Sequence, residues 1–271
     1  MAGRKRSRTL GWERRQEILK YLLANGSASI SAIGQHVDAS PATIHRDLEL
    51  LAENGLIERV HGGALAVEAL DDAPVATERH KRVAEKQQIA DVALQRVTAG
   101  VNSIFLEAST TVAHLVPALR GMTDKVFVTN SPEIALELAS SELEVMIVGG
   151  NLRFRTLATM GPLATHALQS VNIDLAFIGV SALDVNGLAV MNAIEAQTKS
   201  AAIQAAQQVV ALADGAKLGT RALVHVAVLD AIDELITDAG APLEEVERLR
   251  TAGLTVTIAP ASSHRMRPAT A

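Results

Sequence analysis

Apolar positions in the first third of the chain recur at helical spacing three times and then change to a strand-like pattern. Ile18, Leu19, Leu22 and Leu23 stripe the segment Glu13 to Ala24, and Gly26 follows as a stop. Ile30, Ile33 and Val37 mark a second helix, with Ser29 placed to cap its N-terminus. A third begins at Ser40-Pro41, a capping serine followed by a proline whose missing N–H costs a first helical turn nothing. Its buried face is Ile44, Leu48 and Leu51, and Gly55 ends it. Leu56 to Val60 and Ala64 to Val67 then flank His61-Gly62-Gly63 and predict a two-stranded hairpin. Three short helices and a hairpin are the parts of a winged helix-turn-helix, assigned to residues 1–67.

Residues 68–82 (EALDDAPVATERHKR) show no apolar periodicity and many charges, and are expected to be a linker. Helical spacing resumes over Ala84 to Thr98, and from there strands and helices alternate. Ser103 to Leu106, Lys125 to Val128, Glu144 to Val148, Ile173 to Val180, Val209 to Ala213, Val224 to Val228, Glu234 to Thr237 and Thr255 to Ile258 read as strands. Thr110 to Leu119, Pro132 to Ala139, Glu195 to Gln208 and Glu244 to Ala252 read as helices. This alternation predicts an α/β domain over 83–259, a mostly parallel sheet with helices on both faces. In such sheets ligands bind beyond the carboxyl ends of the strands. Residues 260–271 are polar and basic and are expected to be a frayed tail.

Composition narrows the classes. There is no cysteine, which removes disulfides, thiolate metal sites and cysteine nucleophiles and fits a cytoplasmic protein. No apolar run reaches the ~18 residues of a membrane helix. With one Trp, one Tyr and four Phe, a binding face of stacked aromatics is not expected. Taken as a whole, the formal net charge of -5 disfavours nucleic acid. Divided along the chain it does not. Residues 1–65 hold nine Lys/Arg against seven acids, a net of +2, which leaves -7 for the remainder. A small nucleic-acid module joined to an acidic domain fits this asymmetry; so does a solvated basic tail.

If Ile44, Leu48 and Leu51 face inward, Ala42, Thr43, His45 and Arg46 face outward near the start of the third helix, where a recognition helix meets base edges. Ser40 and the first backbone N–H groups can hydrogen-bond a phosphate there. Arg46 can read guanine or grip the backbone. Arg14 and Arg15 on the first helix, and Arg59 with His61 at the wing, can reach phosphates. Asp47 and Glu49 argue against a uniformly basic helix, and the same residues also suit an ordinary solvated helix of mixed charge.

At these residues the chain resembles the DeoR family of bacterial transcription regulators. The resemblance rests on RRQEIL (14–19) and ASPATIHRDLELLAENGLIERVHGGA (39–64), then on FLEASTTVAHL (105–115), VTNSPEIALELA (128–139), VGGNLRFRTLATMGPLA (148–164), DLAFIGVSALD (174–184), EAQTKSAAI (195–203) and LADGAKLG (212–219). The family pattern has Arg-Arg-Asp where this chain has His45-Arg46-Asp47, a departure on the base-reading face. The resemblance implies double-stranded operator DNA as one partner, a phosphorylated sugar or polyol as effector, and a homo-oligomer, dimer or tetramer, that represses carbohydrate genes until the effector releases it.

On that reading Glu107 to Thr111, between a strand and a helix, offers a phosphate cradle: Ser109, Thr110 and Thr111 supply hydroxyls at the positive end of a helix dipole. A plain Ser/Thr cap reads the same way, and Ser109 stands where the family has glycine. Asn130 is a candidate for sugar hydroxyls, and Gly149 and Gly150 for close backbone approach. Arg153, Lys199 and Lys217 are candidates for the anion. Glu195 and Asp214 could hold hydroxyls or cap helices. The effector domain is also similar to sugar-phosphate isomerases such as ribose 5-phosphate isomerase, which leaves an enzyme as the alternative, with Glu107, Glu195 and Lys199 as its acid–base groups. A regulator that senses without turnover is preferred. No cofactor and no metal are expected, since the eight histidines are scattered without i, i+4 pairing.

Overall fold

The computed structural model describes residues 14, 15, 17, 18, 21, 22, 25, 27–53, 57–60, 62–66 and 75–261. His61, Gly55, Val67 and the tail beyond Ala261, all named above, lie outside the described residues. The chain divides into two compact units, Met1–Asp72 and Ala73–Ala271.

In the first unit, Arg14, Arg15, Glu17, Ile18, Tyr21, Leu22 and Asn25 are helical and belong to α1. Strand β1 (Ser27–Ser29) leads into α2 (Ile30–His36), then come α3 (Pro41–Glu53), β2 (Ile57–Val60) and β3 (Gly63–Ala66). Ser29 caps α2 as expected, its Oγ accepting from the Ala32 N–H at 3.2 Å. The hairpin β2–β3 is present, but it is not two-stranded: β1 pairs antiparallel with β3, so the sheet order is β1-β3-β2. Three residues, Ser-Ala-Ser, are too short and too polar to announce a strand; pairing with the wing makes them one. The expected stripes meet in one core of Ile18, Leu22, Ile33, Ile44, Leu48, Leu51, Ile57 and Ala64.

The second unit opens with a short helix α4 (Val75–Arg79) and continues with α5 (Val83–Ala93). Its centre is a seven-stranded sheet of β4 (Ser103–Leu106), β5 (Val126–Thr129), β6 (Val145–Ile147), β9 (Ile173–Gly179), β12 (Ala206–Ala213), β14 (Glu234–Asp238) and β15 (Thr255–Ala259). Every neighbouring pair is parallel, in the order β15-β14-β12-β9-β4-β5-β6. Alternate side chains of each strand enter different cores. Leu175 and Phe177 of β9 join Ile104, Leu106 and Phe127 with residues of α5 and of α7 (Pro132–Ala139). Ala176 and Ile178 join Phe105 and Val128 with residues of α8 (Pro162–Gln169), α9 (Ala193–Ala205) and α10 (Leu243–Thr251). Helices thus cover both faces, which is why these strands read as continuous apolar runs.

Three details depart from expectation. The strand over Val224 to Val228 does not join the parallel sheet; as β13 (Val224–Ala227) it forms a separate antiparallel sheet with β10 (Ala182–Asp184) and β11 (Gly187–Val190). The polar stretch after β6 contains a hairpin, β7 (Asn151–Arg153) and β8 (Ala158–Met160). The long Ala/Gln-rich helix stops at Ala205, because Ala206 and Gln208 are recruited into β12 by pairing with Ile173 and Leu175. Among the described residues no helix is long and apolar enough to cross a membrane, and no group of three or more His, Asp or Glu could hold a metal ion.

The chain runs outward from β4 to β5 and β6, then returns and runs the other way from β9 to β12, β14 and β15. The reversal lies between β4 and β9, and a crevice opens beyond their carboxyl ends. Glu107 immediately follows β4, and Gly179 ends β9.

Candidate functional site

On α3 the face left outside the core carries Ala42, His45 and Arg46, all exposed, with Thr43 half-buried. Ser40 caps the helix: its Oγ accepts from the Thr43 N–H at 3.3 Å and lies 2.9 Å from the Thr43 hydroxyl. Asp47 follows the spacing of Ile44 and Leu51 and faces inward, only 3% exposed. Arg14 Nε reaches it at 2.6 Å and Arg15 Nη1 at 3.5 Å. The two arginines expected to touch phosphates therefore have a partner inside the unit, and of the two acids expected to weaken the binding face Asp47 faces inward while Glu49 stays exposed. Arg59 of β2 leans over α3, with Nη2 3.3 Å from His45 Nδ1 and Nη1 3.4 Å from Glu49. Arg59 and His45, far apart in the chain, thus form one exposed cluster beside Arg46.

In the crevice a line of alternating charges crosses from β4 to α9. Glu107 is 5% exposed; its Oε2 accepts from the Gly179 N–H at 3.1 Å, and its Oε1 lies 3.3 Å from Lys199 Nζ. Lys199, also 5% exposed, donates to the Gly179 carbonyl at 2.9 Å and lies 3.8 Å from Glu195 Oε1. Arg153 of β7 adds its Nη1 at 3.2 Å from Glu195 Oε2. Burying such charges is tolerable because each has an opposite neighbour. Asn192 starts α9 by accepting the N–H groups of Ile194 and Glu195, both at 3.0 Å, and one turn per step then places Glu195 and Lys199 on the same side.

The loop after β4 is held tightly. The Ala108 N–H donates to Asn130 Oδ1 at 2.8 Å, and Asn130 Nδ2 donates to the Thr159 carbonyl at 3.3 Å. Asn130 thus brackets β5, β8 and the loop. Ser109 Oγ accepts from the Thr111 N–H at 3.2 Å and packs on Gly179, where a Cβ would sit 2.1 Å from it. The serine that replaces the family's glycine is accommodated by a glycine on the neighbouring strand. No regular α-helix starts at this loop: the segment runs as a 3-10 turn over Val112–Leu115 before α6 (Val116–Leu119), with Pro117 at its start.

Beyond the loop lies a cavity of ≈ 340 Å³ whose walls include Arg79, Ser109, Thr110, His114, Ser131 and Glu133. A smaller cavity of ≈ 10 Å³, lined by Glu107, Asn130, Glu195, Thr198 and Lys199, shares Ala108 and Thr156 with it. Six of the expected effector residues therefore line these two neighbouring cavities, Ser109 and Thr110 the larger and Glu107, Asn130, Glu195 and Lys199 the smaller. Thr111, Gly149, Gly150, Arg153, Asp214 and Lys217 are not in these two linings. Gly150 has φ +141°, and a Cβ there would stand 2.7 Å from the Met160 carbonyl, so it serves the β6–β8 approach. Asp214 caps the turn after β12 by accepting the Ala216 N–H at 3.2 Å, and Arg82 Nε lies 3.5 Å from it. Lys217 pairs with Glu78 of α4 at 3.5 Å. The residues that sequence reasoning missed, Glu78, Arg79 and Lys86, sit on or beside α4, whose five residues are too few to show a helical period.

Comparison with known proteins agrees with this division. Residues 14–69 match a DeoR-like helix-turn-helix domain, and residues 81–239 a DeoR C-terminal sensor domain. The chain is 37% identical to the HTH-type transcriptional regulator GlpR of Haloferax volcanii, over 90% of this chain and 96% of that protein. It is 32% identical to the HTH-type transcriptional regulator YulB of Bacillus subtilis (92% and 97%) and 30% identical to the glycerol-3-phosphate regulon repressor of Escherichia coli K12 (88% and 94%). Among solved structures, ribose 5-phosphate isomerase A of Methanocaldococcus jannaschii overlaps 49% of this chain and 52% of its own, at 18% identity and a TM-score of 0.35. The two domain matches in chain order and the near full-length relatives place this chain in the DeoR family.

Proposed function

We propose that this protein is a DNA-binding transcription regulator of carbohydrate metabolism, a repressor that leaves its operator when a phosphorylated sugar or polyol binds the second unit. The observation that carries the reading is the crevice at the β4–β9 reversal. A cavity of ≈ 340 Å³, sized for a small polar ligand, lies there next to the buried Glu107–Lys199–Glu195 line and shares Ala108 and Thr156 with the small cavity that this line borders. Carboxylates at Glu107 and Glu195 and the hydroxyls of the Ser109-Thr110 loop suit the hydroxyls of a sugar or polyol. The α3 face of Ala42, Thr43, His45 and Arg46, with Arg59 of β2 beside it, suits a major groove. Release then follows from the effector's differential affinity for two arrangements of the protein.

The isomerase alternative is not favoured. Glu107 and Glu195 already share Lys199 as a counter-ion, and the relatives are named as regulators. A homo-oligomer would let two heads bind paired half-sites. The test is a mobility shift with the DNA upstream of the protein's own coding region, repeated with glycerol 3-phosphate, ribose 5-phosphate and other sugar phosphates. Specific binding that one of these phosphates abolishes supports the reading; absence of specific binding by the folded protein at moderate salt overturns it.

A further inference from the structure

The segment expected to be a plain linker carries a set of paired charges outside the crevice. Helix α4 sets Glu78 and Arg79 side by side. The Glu78 carboxylate lies 2.6 Å from Lys81 Nζ and 3.5 Å from Lys217 Nζ. Lys86, on α5 and only 2% exposed, donates from Nζ to the Glu78 backbone carbonyl. Burial alone would raise the Glu78 pKa, but the Lys81 hydrogen bond and the charges of Lys217, Lys81 and Lys86 outweigh it and hold the group below its ordinary value. For Lys86, burial lowers the pKa, and the charges of Asp214 and Glu78 offset only part of that. Next door, Arg79 pairs with Glu133, and both border the cavity of ≈ 340 Å³. His114, on the cavity wall, bonds Gln87 at 3.2 Å, directly beside Lys86 in the chain, and the Lys86 charge helps to depress its pKa after burial itself.

A buried ammonium requires a counter-charge. Here part of it is a carboxylate carried on a helix of five residues, too short to be stable by itself and held by its partners. We propose that α4 is a strap acting as an internal ligand: the Glu78 carboxylate fills an anion position among Lys81, Lys86 and Lys217, and the effector's phosphate takes that position and frees the strap. A phosphate brings more charge and more acceptor oxygens than one carboxylate, so it competes well for three lysines. The same anion draws Arg79 away from Glu133. This deepens the sugar-phosphate reading above and rests on it.

Freeing α4 changes the tether between the units. With the strap docked, residues 67–74 connect β3 to α4; with it released, residues 67–82 connect β3 to α5. A longer connection weakens a pair of heads on one operator without any contact between effector and DNA.

The test uses the full chain. Calorimetry measures the Kd of inorganic phosphate, glycerol 3-phosphate and ribose 5-phosphate for the wild type and for Glu78→Gln, and hydrogen exchange follows the amides of residues 75–82 with and without ligand. The proposal expects Glu78→Gln to bind on the order of ten-fold tighter, the effect of one competing charge in a partly screened site. It also expects ligand to speed wild-type exchange over 75–82 while slowing it in α5. Equal affinities, or a strap as protected with ligand as without, overturn it while leaving the sugar-phosphate reading intact. If no phosphate compound binds either form, both fall. If Glu78→Gln fails to fold, the exchange result on the wild type decides.

Discussion

Arg14 and Asp47 are 33 residues apart in the chain, and their side chains meet at 2.6 Å, tying α1 to the helix that presents Arg46 to solvent. The pair fixes α3 from behind while Ala42, His45 and Arg46 on its outer face stay exposed. Asp47→Asn should therefore cost the first unit about 1–3 kcal/mol, less than a fully buried pair because Arg14 and Arg15 both reach solvent. Chemical denaturation, with the head's amides followed by hydrogen exchange, measures this; a loss below about 0.3 kcal/mol would show the pair to be dispensable.

Arg46→Ala should behave in the opposite way. Arg46 is exposed and outside the core, so stability should stay within about 0.5 kcal/mol of wild type. Operator affinity should fall by about 1–3 kcal/mol, roughly five- to 150-fold. Unchanged affinity in a mobility shift would remove Arg46 from the interface.

Lys199 has two buried carboxylates to satisfy, Glu107 at 3.3 Å and Glu195 at 3.8 Å. Lys199→Met removes the cation beside Glu107, while Glu195 keeps Arg153, and should destabilise the second unit by about 3–5 kcal/mol. Adding Glu107→Gln should recover part of the loss, since the second change removes an orphaned charge. A strictly additive double variant in thermal denaturation would show that the two side chains do not interact.

Gly179→Ala should cost about 1–3 kcal/mol, because its Cβ would meet Ser109 Oγ at 2.1 Å and Glu107 Oε2 at 2.9 Å. Ser109→Gly in the same chain should relieve the first clash and leave the second. The expected result is a partial rescue in thermal denaturation; no rescue would place the strain elsewhere.

Arg96 grips Glu234 through both carboxylate oxygens, at 2.7 and 2.6 Å, and Thr257 donates to the same group. The Arg96 hydrogen bond lowers the Glu234 pKa from its ordinary 4.5 against the opposing effect of burial. A folded-state pKa below the unfolded one means this contribution is complete above the unfolded value near 4.5 and fades as the pH drops through the lower folded value. Glu234→Gln should thus destabilise at pH 7 and show a shallower acid transition. An identical acid profile for the two proteins would contradict the coupling.

Long apolar runs made the parallel sheet legible, and the stripe Ile44, Leu48, Leu51 made α3 legible, because burial on one or two faces writes a period into the chain. Asp47 was misjudged for the same reason: read by type, it is a surface acid, and only its register with Ile44 and Leu51, with two arginines waiting on α1, makes it an inward one. The Ala206 to Gln208 segment carries helical composition, yet a parallel neighbour supplies hydrogen bonds that composition does not encode. The crevice residues Glu107, Ser109, Asn130, Glu195 and Lys199 were visible at strand ends and helix starts. Glu78 and Arg79 were not, since their importance comes from partners 139 and 54 positions away, Lys217 and Glu133.

Helix α9 ends at Ala205 and strand β12 begins at Ala206, with no loop between them. A connection without slack works as a welded joint. Whatever pulls on Glu195 or Lys199 near the head of α9 pulls on a central strand hydrogen-bonded on both sides, and that strand resists. The inner wall of the crevice is therefore the anvil of the device, and movement on ligand binding is left to the pieces hung from it by side chains alone.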